Sequence, residues 1–245
     1  MSALPTRKLE AYRYADVAAL ASVWNDLASP ERIEIAAQQK LQLIWLPGPE
    51  PVQVRRVEIA LEAGATANIS ALNTATTYGR IEIDVTLADG AHFGLDAANI
   101  GGGNSTLEIV TTVRHVGVAA TSRQTVRSVL GDKAVGSYLG KVAVARDAQQ
   151  TDSVQSVKAM LLDRGATANC KPELEIYADD VKCAHGATVG ELDPQQLFYA
   201  AARGLDPASA RALLLEGFIA GLWDGIEGDD QGIAELARNA LRAIA

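Results

Sequence analysis

Glycines return at a nearly fixed interval along the middle of this chain: Gly64, Gly90, Gly117, Gly140, Gly165 and Gly190 are separated by 26, 27, 23, 25 and 25 residues. Three of them sit in near copies of one turn, EAGA at 62–65, ADGA at 88–91 and DRGA at 163–166. A recurrence of this length restricts a chain to architectures in which one unit cannot bury its apolar face alone and must stack on the next. The segments between the glycines are short and β-prone (LQLIWL, VRRVEIAL, RIEIDVTL, TLEIVTTV, KVAVA, LEIYA), and no helical apolar period is sustained from about Ile33 to Val189. A parallel β-helix satisfies both observations. An antiparallel sandwich, whose turn signals come every 8 to 12 residues or about that, is the competing arrangement.

Beyond Gly190 the texture changes. Asp193-Pro194 reads as an N-cap and first helical residue, followed by QQLFYAAAR and a stop at Gly204; Asp206-Pro207 repeats the device. The second helix carries Ala210, Leu213, Leu214, Gly217, Phe218, Gly221 and Leu222 at three-and-four spacing, and a last helix places Ile233, Leu236, Ala237, Ala240, Leu241 and Ile244 on one face. Such helices either cap the open end of a solenoid or offer a groove to a partner. The expected organisation is an N-terminal helical segment (1–30), a β-helix core (31–192) and a C-terminal helical region (193–245).

With 245 residues, 48% of them hydrophobic, the chain has ample material for a core. A formal charge of −8 with singly scattered basic residues argues against nucleic acid as a partner. The richest apolar run, ALLLEGFIAGLW, is cut by Glu216, so no membrane span is expected. Charges occupy the opening segment where an export signal would be apolar, which gives a cytoplasmic expectation. Two cysteines in such a chain read as thiols, although Cys170 and Cys183 can also meet across neighbouring strands.

Candidate chemistry concentrates in EIYADDVKCAHGATVG, 175–190. On a strand, Cys183 and His185 project to one side while Lys182 and Ala184 face the other. Thiolate with imidazole suits zinc or an iron-sulfur species, but the rest of the chain supplies too few soft ligands for a closed site, and plain packing remains open. Asp179-Asp180 reads as a turn feature; its alternative is an acid in a β-helix carbohydrate-active enzyme. GSYLGKV at 136–142 is one residue short of a phosphate loop and lacks its Ser or Thr, and GGGNST at 101–106 has no lysine. Ser105, Ser122 and Ser137 sit in no nucleophile elbow, and His92 and His115 have no motif around them.

The stretch KPELEIYADDVKCAHGATVGELDPQQLFYAAARGLDPASARALLLEGF, 171–218, resembles the signature of the SufB/SufD family, K-P-x-L-E-I-x-A-D-D-V-x-C-x-H-G-A-T-x-G followed by L-D and L-F-Y. AQQTDSVQSVKAMLL (148–162) is similar to the family's A-Q-x-T-x-x-x-Q segment, and PTRKLEAYRYADVAAL (5–20) to its amino-terminal R-K-x-E-x-W-R-Y-T-D-L, with Tyr12 for the usual Trp and Ala15 for the usual Thr. The length, the opening segment and the scarcity of cysteines favour the SufD branch. The resemblance implies a right-handed parallel β-helix between helical ends and a non-catalytic scaffold role in iron-sulfur cluster assembly. It further implies pairing with SufB through the β-helices and binding of the ABC-type ATPase SufC between about Asp206 and Ile226, at Leu213, Leu214, Gly217 and Phe218. His185, with Cys183, maps onto the pair that helps hold a transient cluster shared with SufB; no cofactor is expected to stay bound to the isolated chain. A homodimer is expected when the partner is absent, because an edge meant for another subunit is left open.

Overall fold

The computed structural model describes residues 3–27, 29–224, 226 and 232–244. Met1, Ser2 and Ala28 of the expected N-terminal segment, and 225, 227–231 and 245 of the expected C-terminal region, lie outside the described residues. Twelve strands form the body: β1 Glu31–Ile35, β2 Lys40–Trp45, β3 Val52–Leu61, β4 Thr66–Asn73, β5 Tyr78–Leu87, β6 His92–Gly101, β7 Thr106–His115, β8 Thr121–Leu130, β9 Val135–Val144, β10 Asp152–Leu161, β11 Thr167–Ile176 and β12 Lys182–Glu191. Odd strands make one six-stranded sheet and even strands the other, and every pairing is parallel between a strand and its counterpart one coil ahead. The offset grows from 26 residues (Glu31 opposite Val57) to 32 (Val135 opposite Thr167). The chain is a β-helix of about six coils, and the sandwich alternative is excluded by the parallel pairing.

Inward positions alternate with outward ones. Ile59, Leu61, Ile83, Val85, Phe93, Leu95 and Ile109 fill the early coils with apolar side chains. Burying them is the main favourable term, at roughly 25 cal/mol per Å² of apolar surface removed from water.

The turns explain the period. Along the edge where each odd strand passes to the next even one, a residue with positive φ recurs at Gln38, Gly64, Gly90, Ala119 and Gln150. In the first four turns its N–H donates to the carbonyl of the residue just before the equivalent position one coil on (Gln38 to Ala63, Gly64 to Asp89, Gly90 to Val118, Ala119 to Gln149), and Gln150 donates to Asp180, at 2.6–3.0 Å. The sheet ladder thus continues around the corner. Glycine fills only two of these five positions. Gly117 lies in the fourth of these turns, beside Ala119, without taking the left-handed conformation, Gly165 belongs to the opposite edge, and Gly140 and Gly190 lie inside β9 and β12.

Two outer faces are covered. On the odd sheet, the N-terminal segment with its 3-10 turn Glu10–Tyr12 and short helices α1 (Val17–Ala21) and α2 (Trp24–Leu27) packs over Arg80. This guanidinium is fully buried, pairs with Glu108 (3.1 Å) and Glu82 (2.8 Å), donates to the carbonyl of Ala11 and lies under the Tyr12 ring. The hydroxyl of Tyr12 donates to Glu82, which a tryptophan indole could not do in the same way. On the even sheet, α4 (Pro207–Ile219) and α5 (Ile233–Ile244) cover Leu72, Ala98, Ile100 and Val129, and Trp223 pins the join by donating its Nε1–H to the carbonyl of Asp96 at 3.0 Å. α3 (Pro194–Ala202) and α4 start on the expected caps, with Asp193 accepting from Gln195 N–H and Asp206 from Ser209 N–H.

One open alternative is excluded and one expectation needs correction. The C-terminal helices α4 and α5 lie on the flank of the solenoid, which excludes the end-capping alternative, and β11 and β12 are left as uncovered edges. The inward face of α4 is Ala210, Leu215 and Ile219, continued by Leu222 and Trp223, whereas Leu213 is 55% exposed and Gly217 is exposed. Three consecutive leucines make this helix apolar around its circumference, so spacing alone does not choose a face. Among the described residues no helix is long and apolar enough to cross a membrane.

Gly90 has positive φ and open space where a Cβ would go, so Gly90→Ala isolates the backbone term. It is expected to cost about 1 kcal/mol, and Ala119→Gly at the equivalent turn is expected to restore up to about as much, both read as shifts of the urea midpoint. Equal midpoints would show that the left-handed residue does not limit coil stacking.

Candidate functional site

The last strand, β12, hydrogen-bonds to β10 on one side and is the edge of its sheet on the other; β11 is the matching edge of the odd sheet. In-register stacking carries each inward position from coil to coil. One file runs Ala67, Phe93, Ser122, Ser153, Cys183, and the next runs Ile69, Leu95, Gln124, Gln155, His185. Both change from apolar to polar on the way to the open end. Cys183 and His185 therefore project together, as their i, i+2 spacing requires, and they face the interior of a coil that no further coil closes. Cys183 is half-buried against the core, and His185 is exposed.

The polar side chains beneath them are bonded across the interior. His115 Nε2 lies 2.9 Å from Ser122 Oγ, which lies 2.9 Å from Ser153 Oγ, the register neighbour of Cys183. Thr111 (2.6 Å) and Tyr138 (3.1 Å) donate their hydroxyls to Gln124 Oε1. Burial pushes the pKa of His115 down to about 4, against a smaller opposing contribution from the backbone of Ala120, so the ring is neutral near pH 7. Burial, reinforced by the charge of Asp152 and opposed by a backbone hydrogen bond at Ser153, pushes the Cys183 thiol up; burial alone pushes up Cys170. Both cysteines are free thiols, which removes the cross-strand disulfide.

The interior polar residues escaped the sequence reading, yet a signal was present. Ser122-x-Gln124, Ser153-x-Gln155 and Cys183-x-His185 are three copies of one pattern, 31 and 30 residues apart. Polar residues on alternate strand positions look outward-facing until the coil register is known.

The remaining candidates fall into structural places. Asp179 and Asp180 occupy the turn from β11 to β12, where Asp180 N–H donates to Gln149 Oε1 (2.9 Å) and its carbonyl accepts from Gln150 N–H; these bonds are made by the backbone, and both side chains are exposed. GSYLGKV lies within β9, with Lys141 paired to Glu175 at 2.6 Å, and cannot wrap a phosphate. In GGGNST, Gly103 takes positive φ and donates its N–H to Asp132, closing a turn between coils. His92 shares a 2.7 Å hydrogen bond with Thr121. Among the described residues no three His, Cys, Asp or Glu side chains converge to hold a metal ion.

A family model described as "SUF system FeS cluster assembly, SufBD core domain" matches residues 33–218. The chain belongs to the SufB/SufD family. The match begins in β1 and ends in α4, and so takes in the solenoid from the middle of its first strand, with the Cys183–His185 strand. The chain is SufD-like: it is 36% identical over 141 residues to the iron-sulfur cluster assembly protein SufD of Escherichia coli, covering 57% of this chain and 33% of that protein. It is 28% identical over 165 residues to SufD of Bacillus subtilis (67% and 36%), and 39% identical over 100 residues to a SufBD family protein of Synechocystis (41% and 22%). The chain spans about a third of the length of the two SufD proteins.

A raised thiol pKa leaves a smaller thiolate fraction at neutral pH, and only the thiolate is alkylated rapidly. Cys183 and Cys170 of this SufBD-family chain are expected to react with iodoacetamide several-fold more slowly than free cysteine at neutral pH, the rate climbing as pH rises past the ordinary thiol range. Alkylation of Cys183 faster than free cysteine would contradict the burial argument.

Proposed function

We propose that this chain is a non-catalytic scaffold subunit for iron-sulfur cluster assembly, contributing His185 and Cys183 to a transient site completed by a SufB-type partner. The observation that carries this reading is the position of the pair: same side, interior-facing, on the last coil, whose far edge has no strand partner among the described residues. A site made of an exposed imidazole and a protonated, half-buried thiol binds iron weakly alone, and it gains affinity when another subunit adds ligands. Iron must displace the Cys183 proton before sulfur can ligate, so loading is coupled to proton release. A scaffold has to give up what it builds, and a ligand set divided between two polypeptides can be pulled apart.

Pairing through the solenoid end has physical support in β11 and β12, whose outward N–H and C=O groups lack strand partners among the described residues and invite augmentation by another sheet. In the isolated chain the same edges favour a homodimer. For the ATPase, a SufC-type subunit, the support is the outward side of the C-terminal helices. Leu213 on α4 is exposed there, with Leu214 and Phe218 half-buried and Gly217 exposed beside it. Phe198 on α3 is 77% exposed at a groove of about 800 Å³ running between α3 and α4. Motion delivered by ATP-driven closure at these helices would reach the open end through α4 and the even sheet it packs on.

The test is co-purification with SufB- and SufC-type subunits followed by anaerobic reconstitution. His185→Ala is expected to leave the complex intact and to lower retained cluster several-fold, whereas Leu213→Glu is expected to release the ATPase and keep the SufB-type partner. Wild-type cluster retention in His185→Ala would remove this residue from the mechanism.

A further inference from the structure

Seven buried side-chain atoms among the described residues have no hydrogen-bond partner, and three of them lie in one register row: Gln124 Nε2, Gln155 Nε2 and Gln155 Oε1. Gln124 and Gln155 are 0% and 1% exposed, and the next member of the row is His185. Leaving a buried amide unsatisfied is destabilising, and an apolar residue of similar size would avoid that penalty. The earlier coils do use apolar residues in this file, Ile69 and Leu95. The two amides appear only in the coils directly beneath the imidazole.

We propose that Gln155 is a positioning residue for His185, its carboxamide oxygen accepting the N–H of one imidazole nitrogen so that the other nitrogen faces the open end with a free lone pair. The inference rests on the ligand role of His185 given above. Same-face residues on adjacent strands stand about 4.8 Å apart, within reach of a glutamine side chain, and His185 is exposed and free to turn. A single change of amide orientation gives every amide atom of the row a partner, with Thr111 and Tyr138 keeping one hydroxyl hydrogen bond between them at 3.3 Å. With Gln124 turned over, its Nε2 donates to the hydroxyls of Thr111 and Tyr138, which lie 2.6 and 3.1 Å from its amide, and its Oε1 accepts from Gln155 Nε2. Gln155 Oε1 then points to His185. The polar interior is then a directed chain of donors, His185 to Gln155 to Gln124 to Thr111 and Tyr138, that fixes one tautomer of the first ring. Histidines that bind metals commonly need such an acceptor for their second nitrogen, and removing it lowers affinity about tenfold or more. The residue is the last glutamine of the AQQTDSVQ segment.

The experiment is 15N NMR of the imidazoles in the full isolated chain at alkaline pH, where the rings are neutral, with His185 assigned by loss of its signals in His185→Ala. Wild-type His185 is expected to show one protonated and one unprotonated nitrogen. Gln155→Leu is expected to give averaged signals from mixed tautomers, and Gln155→Glu, which keeps an acceptor, to restore the single form. In the reconstituted complex Gln155→Leu is expected to lower cluster retention about tenfold. An unchanged His185 spectrum in Gln155→Leu overturns the proposal, and more firmly so if that variant also melts higher, since the amide would then be merely unsatisfied. A spectrum that changes as expected while His185→Ala retains cluster normally upholds the tautomer control and instead sinks the ligand role.

Discussion

Everything in this molecule depends on parallel, in-register stacking of coils. A parallel ladder that continues through its corners transmits position without loss: whatever faces inward at one residue of a coil faces inward at the counterpart in the next. Each coil buries its apolar face only against its neighbours, so the stack is stable in its middle and unfinished at its ends. At the C-terminal end the unfinished layer is a chemical surface. The pair Cys183 and His185 would be ordinary interior residues if another coil followed; with none following, they stand at an open edge, which is where the proposed function needs them. The same geometry that builds the core therefore exposes the site.

The helices could have removed that exposure and do not. Their apolar residues find Leu72, Ala98, Ile100 and Val129 on the outside of the even sheet, and Trp223 fixes them there through Asp96. On the opposite flank, the buried Arg80 between Glu108 and Glu82 holds the N-terminal segment against the odd sheet. Removing one member of that cluster would strand a buried charge, at a cost of about 3–5 kcal/mol. Both flanks are thus occupied and the end is free.

Much of this was legible in the residues, though not always for the right reason. The glycine interval pointed to a solenoid, but Gly140 and Gly190 sit within strands, and the true repeating requirement is a left-handed turn residue that Gln38, Ala119 and Gln150 satisfy as well. Glycine marks where such a conformation is easy, not everywhere it occurs. The last helix was readable because Glu235, Arg238 and Arg242 leave Ile233, Ala237 and Leu241 a single face, whereas Leu213, Leu214 and Leu215 in α4 gave no side to prefer. The C-x-H pair announced itself through residue chemistry. Its support did not, since Ser122, Gln124, Ser153 and Gln155 acquire meaning only when coils about 30 residues apart are brought into register.

Amide hydrogen exchange along β11 and β12, with and without a SufB-type partner, tests the open end most directly. In the isolated chain under conditions that keep it monomeric, the N–H groups of β12 that point away from β10 should exchange within the dead time, and in the complex the same amides should become protected by at least a hundredfold or so. Protection that is already present in the monomer, or that appears only on the C-terminal helices when the partner binds, would contradict a shared site at the end of the solenoid.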